Sequence, residues 1–136
     1  MSYLIDTDLL SLLERKQVPQ KLAAWINAHE SEIFISVVSF AELQFGANCA
    51  PSTHQARLAQ WLAEVRRKLA PATEELTEPV LIKWKELLSK LKTKNRTMTC
   101  EDSLIAATAL FHGHIVATHN KRHFEPSGVM IVDPLL

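Results

Sequence analysis

Three acidic residues stand where a parallel sheet would bring side chains together. Asp6 directly follows the apolar segment Tyr3–Ile5, and Glu42 comes shortly after the segment Ile33–Ser36. Asp102 precedes a run of small apolar residues that is typical of a buried helix. Residues that follow parallel strands gather at one edge of the sheet, where sites form in open α/β folds. Clustered carboxylates repel one another, so such an edge is suited to a hard divalent cation.

Helix capping is the simpler interpretation of the same residues. A polar side chain at the start of a helix accepts hydrogen bonds from the free amide groups there, without any catalytic meaning. The candidate caps are Asp6, Thr7 and Asp8 at one helix, Ser39 with Glu42 at a second, and Thr99 with Asp102 at a third. Capping alone does not predict that Asp6 and Glu42 gather at one sheet edge.

The last third of the chain predicts half of an α/β unit. From Leu104 the helix is apolar almost all round, which predicts burial between other elements. The segment Ile115–Ala117 predicts a short strand, and the polar loop 118–123 follows it at the candidate edge. Val129–Val132 predicts a final strand. The fold class is therefore α/β.

Three further helices are predicted as packing elements. One begins near Pro19, one spans Gln55–Leu69 and one runs from Pro79 to about Lys94. The last carries lysines on both sides of its apolar stripe. Such lysines usually extend along apolar surface to reach water, and the alternative is a patch for an RNA backbone.

Composition narrows the class of protein. The 136 residues allow one domain, with 47% hydrophobic and 22% charged residues. Fifteen basic and fifteen acidic side chains cancel, so nucleic-acid binding would rest on a local patch. Three glycines exclude a phosphate-cradling glycine loop, and two cysteines without ligand spacing indicate reduced thiols. With no apolar run long enough for a membrane span and no signal peptide, we expect a cytoplasmic protein.

Four of the six histidines cluster late in the chain. They are His112, His114, His119 and His123. No cysteine or carboxylate completes a recognised zinc-ligand pattern around them. Histidines of surface loops are therefore the favoured interpretation, and a zinc site is the alternative.

Four blocks of the sequence together resemble the PIN-domain proteins of the VapC toxin type. The blocks are LIDTD (4–8), ISVVSFAEL (35–43), EDSLIAATA (101–109) and VATHNKRHF (116–124), with Gly128 beyond the last. They cover nearly the whole chain, in the family's order and at its usual spacing. The resemblance implies a single PIN domain over residues 1–136, with a three-layer α/β/α fold and a central, mainly parallel sheet.

The resemblance also implies an endoribonuclease that depends on Mg²⁺, for which Mn²⁺ substitutes. Asp6, Glu42 and Asp102 match the family's three acidic positions. Asp6 and Asp102 are the expected direct ligands, and Glu42 either ligates through water or orients the nucleophile. Thr7 matches the small hydroxyl residue after the first acid, and Asn120 stands at the position of a fourth acid and completes the expected catalytic set.

Two positions depart from the family's pattern. Asp8 stands where Asn or Ser is commoner, and His123 replaces the acid that usually precedes Phe124. These departures leave the three acids intact and put the fourth ligand in question. Lys121 and Arg122, beside Asn120, are expected to contact RNA together with Thr7.

The resemblance predicts partners as well as an activity. Members of this type are toxins of toxin–antitoxin pairs that arrest growth by cleaving RNA, with tRNA as one candidate substrate. They are commonly homodimers, and a small VapB-like antitoxin wraps the toxin and inserts residues near the site. We expect the apolar stripes around Trp61 and Trp84 to supply surface for a dimer mate or an antitoxin segment.

Two other functions fit parts of the sequence. Asp6-Thr7-Asp8 has the Asp-x-Asp spacing of a haloacid-dehalogenase-type phosphatase, although Leu10 falls where that motif has Thr or Val. A PIN-like module without activity, which only binds a partner, would account for the missing fourth acid. Titration with a divalent metal and a test for an acid-labile phosphoaspartate distinguish these alternatives.

Overall fold

One five-stranded sheet forms the centre of the protein, for which a computed structural model describes all residues from Met1 to Leu136. The strands are β1 (Tyr3–Ile5), β2 (Ile33–Ser36), β3 (Thr73–Glu74), β4 (Ile115–Ala117) and β5 (Ile131–Val132). Their order is β3-β2-β1-β4-β5, and every neighbouring pair is parallel. From β1 the chain continues to β2 and β3 on one side of the sheet, and from β4 it continues to β5 on the other side. The topological switch point therefore lies between β1 and β4, and open α/β sheets bind ligands at such a point.

Seven α-helices cover the sheet. They are α1 (Thr7–Ser11), α2 (Gln20–Ala28), α3 (Val37–Cys49), α4 (Ser52–Leu69), α5 (Glu78–Thr93), α6 (Cys100–His112) and α7 (Lys121–Phe124). Short 3₁₀ turns occupy Leu12–Glu14, Glu30–Glu32, Ala70–Ala72 and Glu125–Ser127. Helices on both faces of a parallel sheet give three layers, which confirms the predicted α/β/α fold class.

Two hydrophobic cores hold the layers together, and β1 contributes to both. Leu4 packs with Leu87 of α5 and Ile105 of α6, whereas Ile5 lies in the second core with Leu22 of α2. Successive side chains of a strand point to opposite faces, so a central strand covered on both faces must be apolar throughout. This requirement explains why Tyr3–Ile5 has no polar residue before Asp6.

Small residues let α6 lie close to the sheet. Ala106, Ala107 and Ala109 are fully buried within it. The helix ends at His112, and Gly113 follows with a φ of 76°, a left-handed conformation that glycine adopts without strain. The predicted buried helix is therefore confirmed. Its packing against the sheet fixes the position of its first turn, which carries Asp102.

Several predicted boundaries were wrong by a few residues. The helix predicted over Gln55–Leu69 is α4, which begins at Ser52. The final strand was predicted over Val129–Val132 and covers only Ile131–Val132. The two-residue strand β3 was not predicted, because it is too short to show an alternating pattern. The loop 118–123 contains the beginning of the four-residue helix α7.

Large apolar side chains remain exposed on α3, α5 and α6. Trp61 and Trp84 pack against the two cores, and the Trp84 indole N–H donates to Ser103 Oγ at 2.8 Å. The large apolar side chains that are most exposed away from the chain ends are Phe45, Met130, Ile82 and Phe111. Ile82 lies beside Trp84 on α5, so the expectation that the stripes around Trp61 and Trp84 supply surface for a partner stays a prediction. None of the helices is both long and apolar enough to cross a membrane.

Candidate active site

Asp6 is both a helix cap and a buried acid at the edge of the sheet. Its backbone N–H donates to Ala117 O at 3.0 Å, which continues the pairing of β1 with β4. Its Oδ1 accepts from the Leu9 N–H at 2.8 Å and so caps α1, while its Oδ2 accepts from the Thr118 hydroxyl. Only 4% of the residue is exposed. The capping interpretation of Asp6 is thus correct but incomplete.

Burial sets the charge state of Asp6. Loss of solvent raises the pKa of this carboxyl from its ordinary 3.8 to about 6. The hydrogen bonds from Thr118 and Leu9 oppose this rise, and the negative charges of Asp8 and Asp102 add to it. Without a cation, Asp6 therefore titrates close to neutral pH.

Glu42 reaches the same site from α3. The helix begins at Val37 because the Ser36 hydroxyl accepts from the Val38 N–H at 3.0 Å. The predicted capping box of Ser39 with Glu42 was wrong, since both residues lie inside the helix. Thr7 Oγ1 lies 2.7 Å from Glu42 Oε1 and 2.8 Å from Ser39 Oγ, so the start of α1 is joined to α3.

Asp102 lies in the first turn of α6. Thr99 caps this helix by accepting from the Asp102 N–H at 3.1 Å, as the spacing predicted. The Oδ2 atom of Asp102 lies 3.6 Å from His123 Nδ1. His123 is thus a neighbour of the acids.

Exposed Glu42 and partly buried Asp102 share the raised pKa of Asp6. Burial is the largest cause of the raised pKa of Glu42, and the negative charges of Glu101, Asp102 and Asp8 raise it further. Burial also raises the pKa of Asp102, to which Asp8 and Glu101 add. The hydrogen bond from Thr7 opposes the rise for Glu42, and that with Thr99 opposes it for Asp102. The carboxylates therefore lie close enough to repel one another.

The loop after β4 completes the site. Thr118 is fully buried, and its Oγ1 accepts from the Asn120 N–H at 2.9 Å. Asn120 Nδ2 in turn donates to Asp8 Oδ2 at 3.1 Å. Lys121 and Arg122 follow as exposed residues in the first turn of α7. Sequence reasoning assigned no role to Thr118, and its place at a strand end was the only signal available.

The donor set is suited to a hard divalent cation. Every candidate ligand is a carboxylate, hydroxyl or amide oxygen, the donors that Mg²⁺ and Mn²⁺ prefer. No lysine or arginine forms an ion pair with Asp6, Asp8, Glu42 or Asp102. As the side chains stand, no three His, Cys, Asp or Glu residues of the chain form a complete metal-binding group. A bound cation would therefore have to draw the repelling carboxylates together.

The histidines do not form part of this site, apart from His123. His114 is buried, and its Nε2 lies 2.9 Å from Glu74 Oε2, while His112 Nε2 lies 3.0 Å from the same oxygen. Ser2 Oγ lies 2.6 Å from His114 Nδ1. The expectation of surface histidines was wrong for His114, because β3 brings a carboxylate to it from 40 residues away.

Two of the lysines of α5 make contacts within the protein, and the alternative of a patch for an RNA backbone stays a prediction. Lys83 forms an ion pair with Glu86 at 3.6 Å, and Lys85 Nζ lies 5.3 Å from the centre of the Trp84 ring. These contacts are those of side chains that extend along the helix surface to water.

The PIN domain family matches residues 3–128, and the chain belongs to it. Within that family the chain is of the VapC type. It is 30% identical over 133 residues to a VapC ribonuclease of Sinorhizobium fredii, with 96% of this chain and 95% of that protein covered.

Solved structures agree with this assignment. The FitAcB crystal structure from Neisseria gonorrhoeae has a chain of 26% identity, with a TM-score of 0.89 and 97% of each chain covered. A chain of the DNA-bound VapBC structure from Salmonella typhimurium also has a TM-score of 0.89, at 23% identity over 98% of each chain, and supports the fold.

Proposed function

We propose that this chain is the toxin of a VapBC-type toxin–antitoxin pair, a metal-dependent endoribonuclease formed by a single PIN domain over residues 1–136. The observation that carries the proposal is the meeting of Asp6, Glu42 and Asp102 from the end of β1, α3 and α6, with raised pKa values and no lysine or arginine partner. Likeness to a VapC ribonuclease over almost the whole chain supports the same reaction class. The expected place of action is the cytoplasm, where RNA is accessible.

Each acid has a proposed role in holding Mg²⁺, for which Mn²⁺ would substitute. Asp6 and Asp102 would be direct ligands, and Glu42 would ligate through water or orient the attacking water. A divalent cation supplies a nucleophile near neutral pH and shields negative charge on the phosphodiester in the transition state. Thr7 orients the Glu42 carboxylate, because its hydroxyl lies 2.7 Å from Oε1.

The RNA strand would cross the carboxyl edge of the sheet. Lys121 and Arg122 are exposed where α7 begins, one and two residues beyond Asn120. They are the lysine and arginine nearest in sequence to Asn120 and would contact phosphates on either side of the cleaved bond. One candidate for this RNA is tRNA.

An antitoxin has a suitable surface beside the site. An open groove of about 650 Å³ is lined by Val37, Val38, Ala41, Phe45 and Leu76, with Glu42 and Glu101 at its acidic end. Phe45 is 70% exposed, so its ring is available to a partner. A VapB-like segment with apolar side chains would cover the apolar wall of the groove, and one basic side chain of that segment would neutralise Glu42 and Glu101. We also expect a homodimer, as in the family.

Cleavage of RNA by the purified full chain tests the proposal. We expect cleavage with Mn²⁺ or Mg²⁺, none with EDTA, and none by Asp102→Asn. Glu101→Gln is the matched control, because it removes an exposed carboxylate from the same helix turn. Sequencing the new RNA ends after brief induction would identify the substrate. Cleavage that persists in EDTA, or equally in Asp102→Asn, would overturn the assigned site and its metal dependence.

A further inference from the structure

Two carboxylates of the site are held from one loop. Thr118 donates its hydroxyl proton to Asp6 Oδ2 and accepts the Asn120 N–H at 2.9 Å. The side chain of Asn120 then donates from Nδ2 to Asp8 Oδ2 at 3.1 Å. A continuous series of three hydrogen bonds therefore runs from Asp6 to Asp8 through Thr118 and Asn120.

The direction of each bond in this series is determined by chemistry. A backbone N–H can only donate, so Thr118 Oγ1 accepts from Asn120 and its own proton is free for Asp6. A carboxylate can only accept, so the Asn120 contact to Asp8 is made by the amide nitrogen. Asn120 therefore presents a donor to the site and its carbonyl oxygen does not face Asp8. An amide in this orientation positions an acid and does not replace one.

Asp8 faces the other acids although its residue is exposed. Its negative charge contributes to the raised pKa of Asp6, of Glu42 and of Asp102. No lysine or arginine pairs with it, and its only side-chain partner is the neutral amide of Asn120. Asp8 thus adds a fourth negative charge to a group of acids that has no lysine or arginine partner.

We propose that Asp8 supplies the fourth carboxylate oxygen that faces the cation, and that Asn120 is the positioning residue that aims it. The inference rests on the proposed function, since it concerns the same cation. It gives Asn120 a role through Asp8 in place of the direct role expected from the sequence. The carboxylate comes from α1, and the amide comes from the loop after β4.

The competing explanation of Asp8 is helix stabilisation. An acid in the first turn of a helix interacts favourably with the helix dipole, and Asp8 lies in the first turn of α1. That role predicts a loss of stability in Asp8→Asn and no change in cation binding. The proposal predicts weaker cation binding, with equal or higher stability in the absence of metal because one repelling charge is removed.

Calorimetric titration of the RNA-free full chain with Mn²⁺ alone, at pH 8, tests the proposal. We expect Asp8→Asn to weaken Mn²⁺ binding by about tenfold or more, the range for a residue that tunes a metal site. Glu101→Gln is the matched control, because Glu101 also raises the pKa values of Glu42 and Asp102 but makes no side-chain hydrogen bond to them. Its effect should stay within about threefold, since water screens exposed charges.

Exchanging the two residues tests the geometry. The double variant Asp8→Asn with Asn120→Asp keeps the number of carboxylates and can remake the same amide–carboxylate bond in reverse. We expect it to recover Mn²⁺ affinity relative to Asp8→Asn alone. Thermal unfolding with EDTA checks that all variants fold.

The outcomes separate this inference from the proposed function. Mn²⁺ binding in Asp8→Asn equal to that of Glu101→Gln, or an exchanged variant no better than Asp8→Asn, overturns the role of Asp8 while leaving Asp6 and Asp102 in place. Wild-type chain that binds no Mn²⁺, or binds it as well when Asp102 is Asn, overturns both.

Discussion

The pH dependence of stability in Asp6→Asn is the sharpest consequence of the buried acid. Asp6 has an ordinary pKa of 3.8 when the chain is unfolded and a pKa of about 6 in the folded protein without metal. Since the folded pKa is the higher one, protonated Asp6 favours folding below about pH 4. That stabilisation is lost as the pH rises through 6.

The size of the effect follows from the two pKa values. Their difference of about 2 corresponds to about 3 kcal/mol, because each pKa unit is worth about 1.4 kcal/mol. Asparagine cannot ionise, and its amide still offers one acceptor to the Leu9 N–H. Its less suitable contact with Thr118 should cost about 1 kcal/mol. We therefore expect Asp6→Asn to be more stable than the wild type by about 2 kcal/mol at pH 8 and less stable by about 1 kcal/mol at pH 4.

Urea and thermal unfolding in EDTA, from pH 4 to pH 8, measure this difference. At about 4 °C per kcal/mol for a domain of this size, the midpoint at pH 8 should rise by about 8 °C. Glu101→Gln is the control, and its stability difference from wild type should not change sign. If the free energy of unfolding differs between Asp6→Asn and wild type by the same amount at every pH in this range, ionisation of buried Asp6 does not destabilise the fold and the reasoning is refuted. Saturating Mn²⁺ should reverse the order of stability at pH 8, because only the wild type gains binding free energy.

Three further predictions follow from the geometry of the site and its surroundings. Asp102→Asn should abolish RNA cleavage, to less than about one hundredth of the wild-type rate, and abolish growth arrest on induction, without loss of the cooperative unfolding transition. Phe45→Glu should weaken binding to the antitoxin encoded beside the gene by about 2 kcal/mol, measured by titration, whereas an unchanged affinity would place the antitoxin elsewhere. Replacing Lys121 and Arg122 by Ala should reduce the slope of log affinity for single-stranded RNA against log salt by about 1.4, and an unaltered slope would remove both from the RNA surface.

The local pattern of the sequence was sufficient to predict most of the secondary structure. Apolar runs of three or four residues predicted β1, β2 and β4, because a strand covered on both faces shows no polar alternation. The spacing of Thr99 and Asp102 predicted the start of α6, since capping depends on neighbours along the chain. The family resemblance was confirmed by the match to residues 3–128. Residue types at strand ends thus indicated an acidic edge before any fold was known.

Other features depend on contacts between distant parts of the chain, and only the tertiary structure decided them. The pKa of Asp6 near 6 arises from burial, which no residue type encodes by itself. The bond between Asn120 and Asp8 joins residues 112 positions apart, so neither residue's pattern contains it. Strand β3 and its Glu74 contact to His114 escaped prediction for the same reason, because a two-residue edge strand exists only through its neighbour β2. The sequence alone therefore determined which acids were available, and packing at the switch point decided which of them face one another.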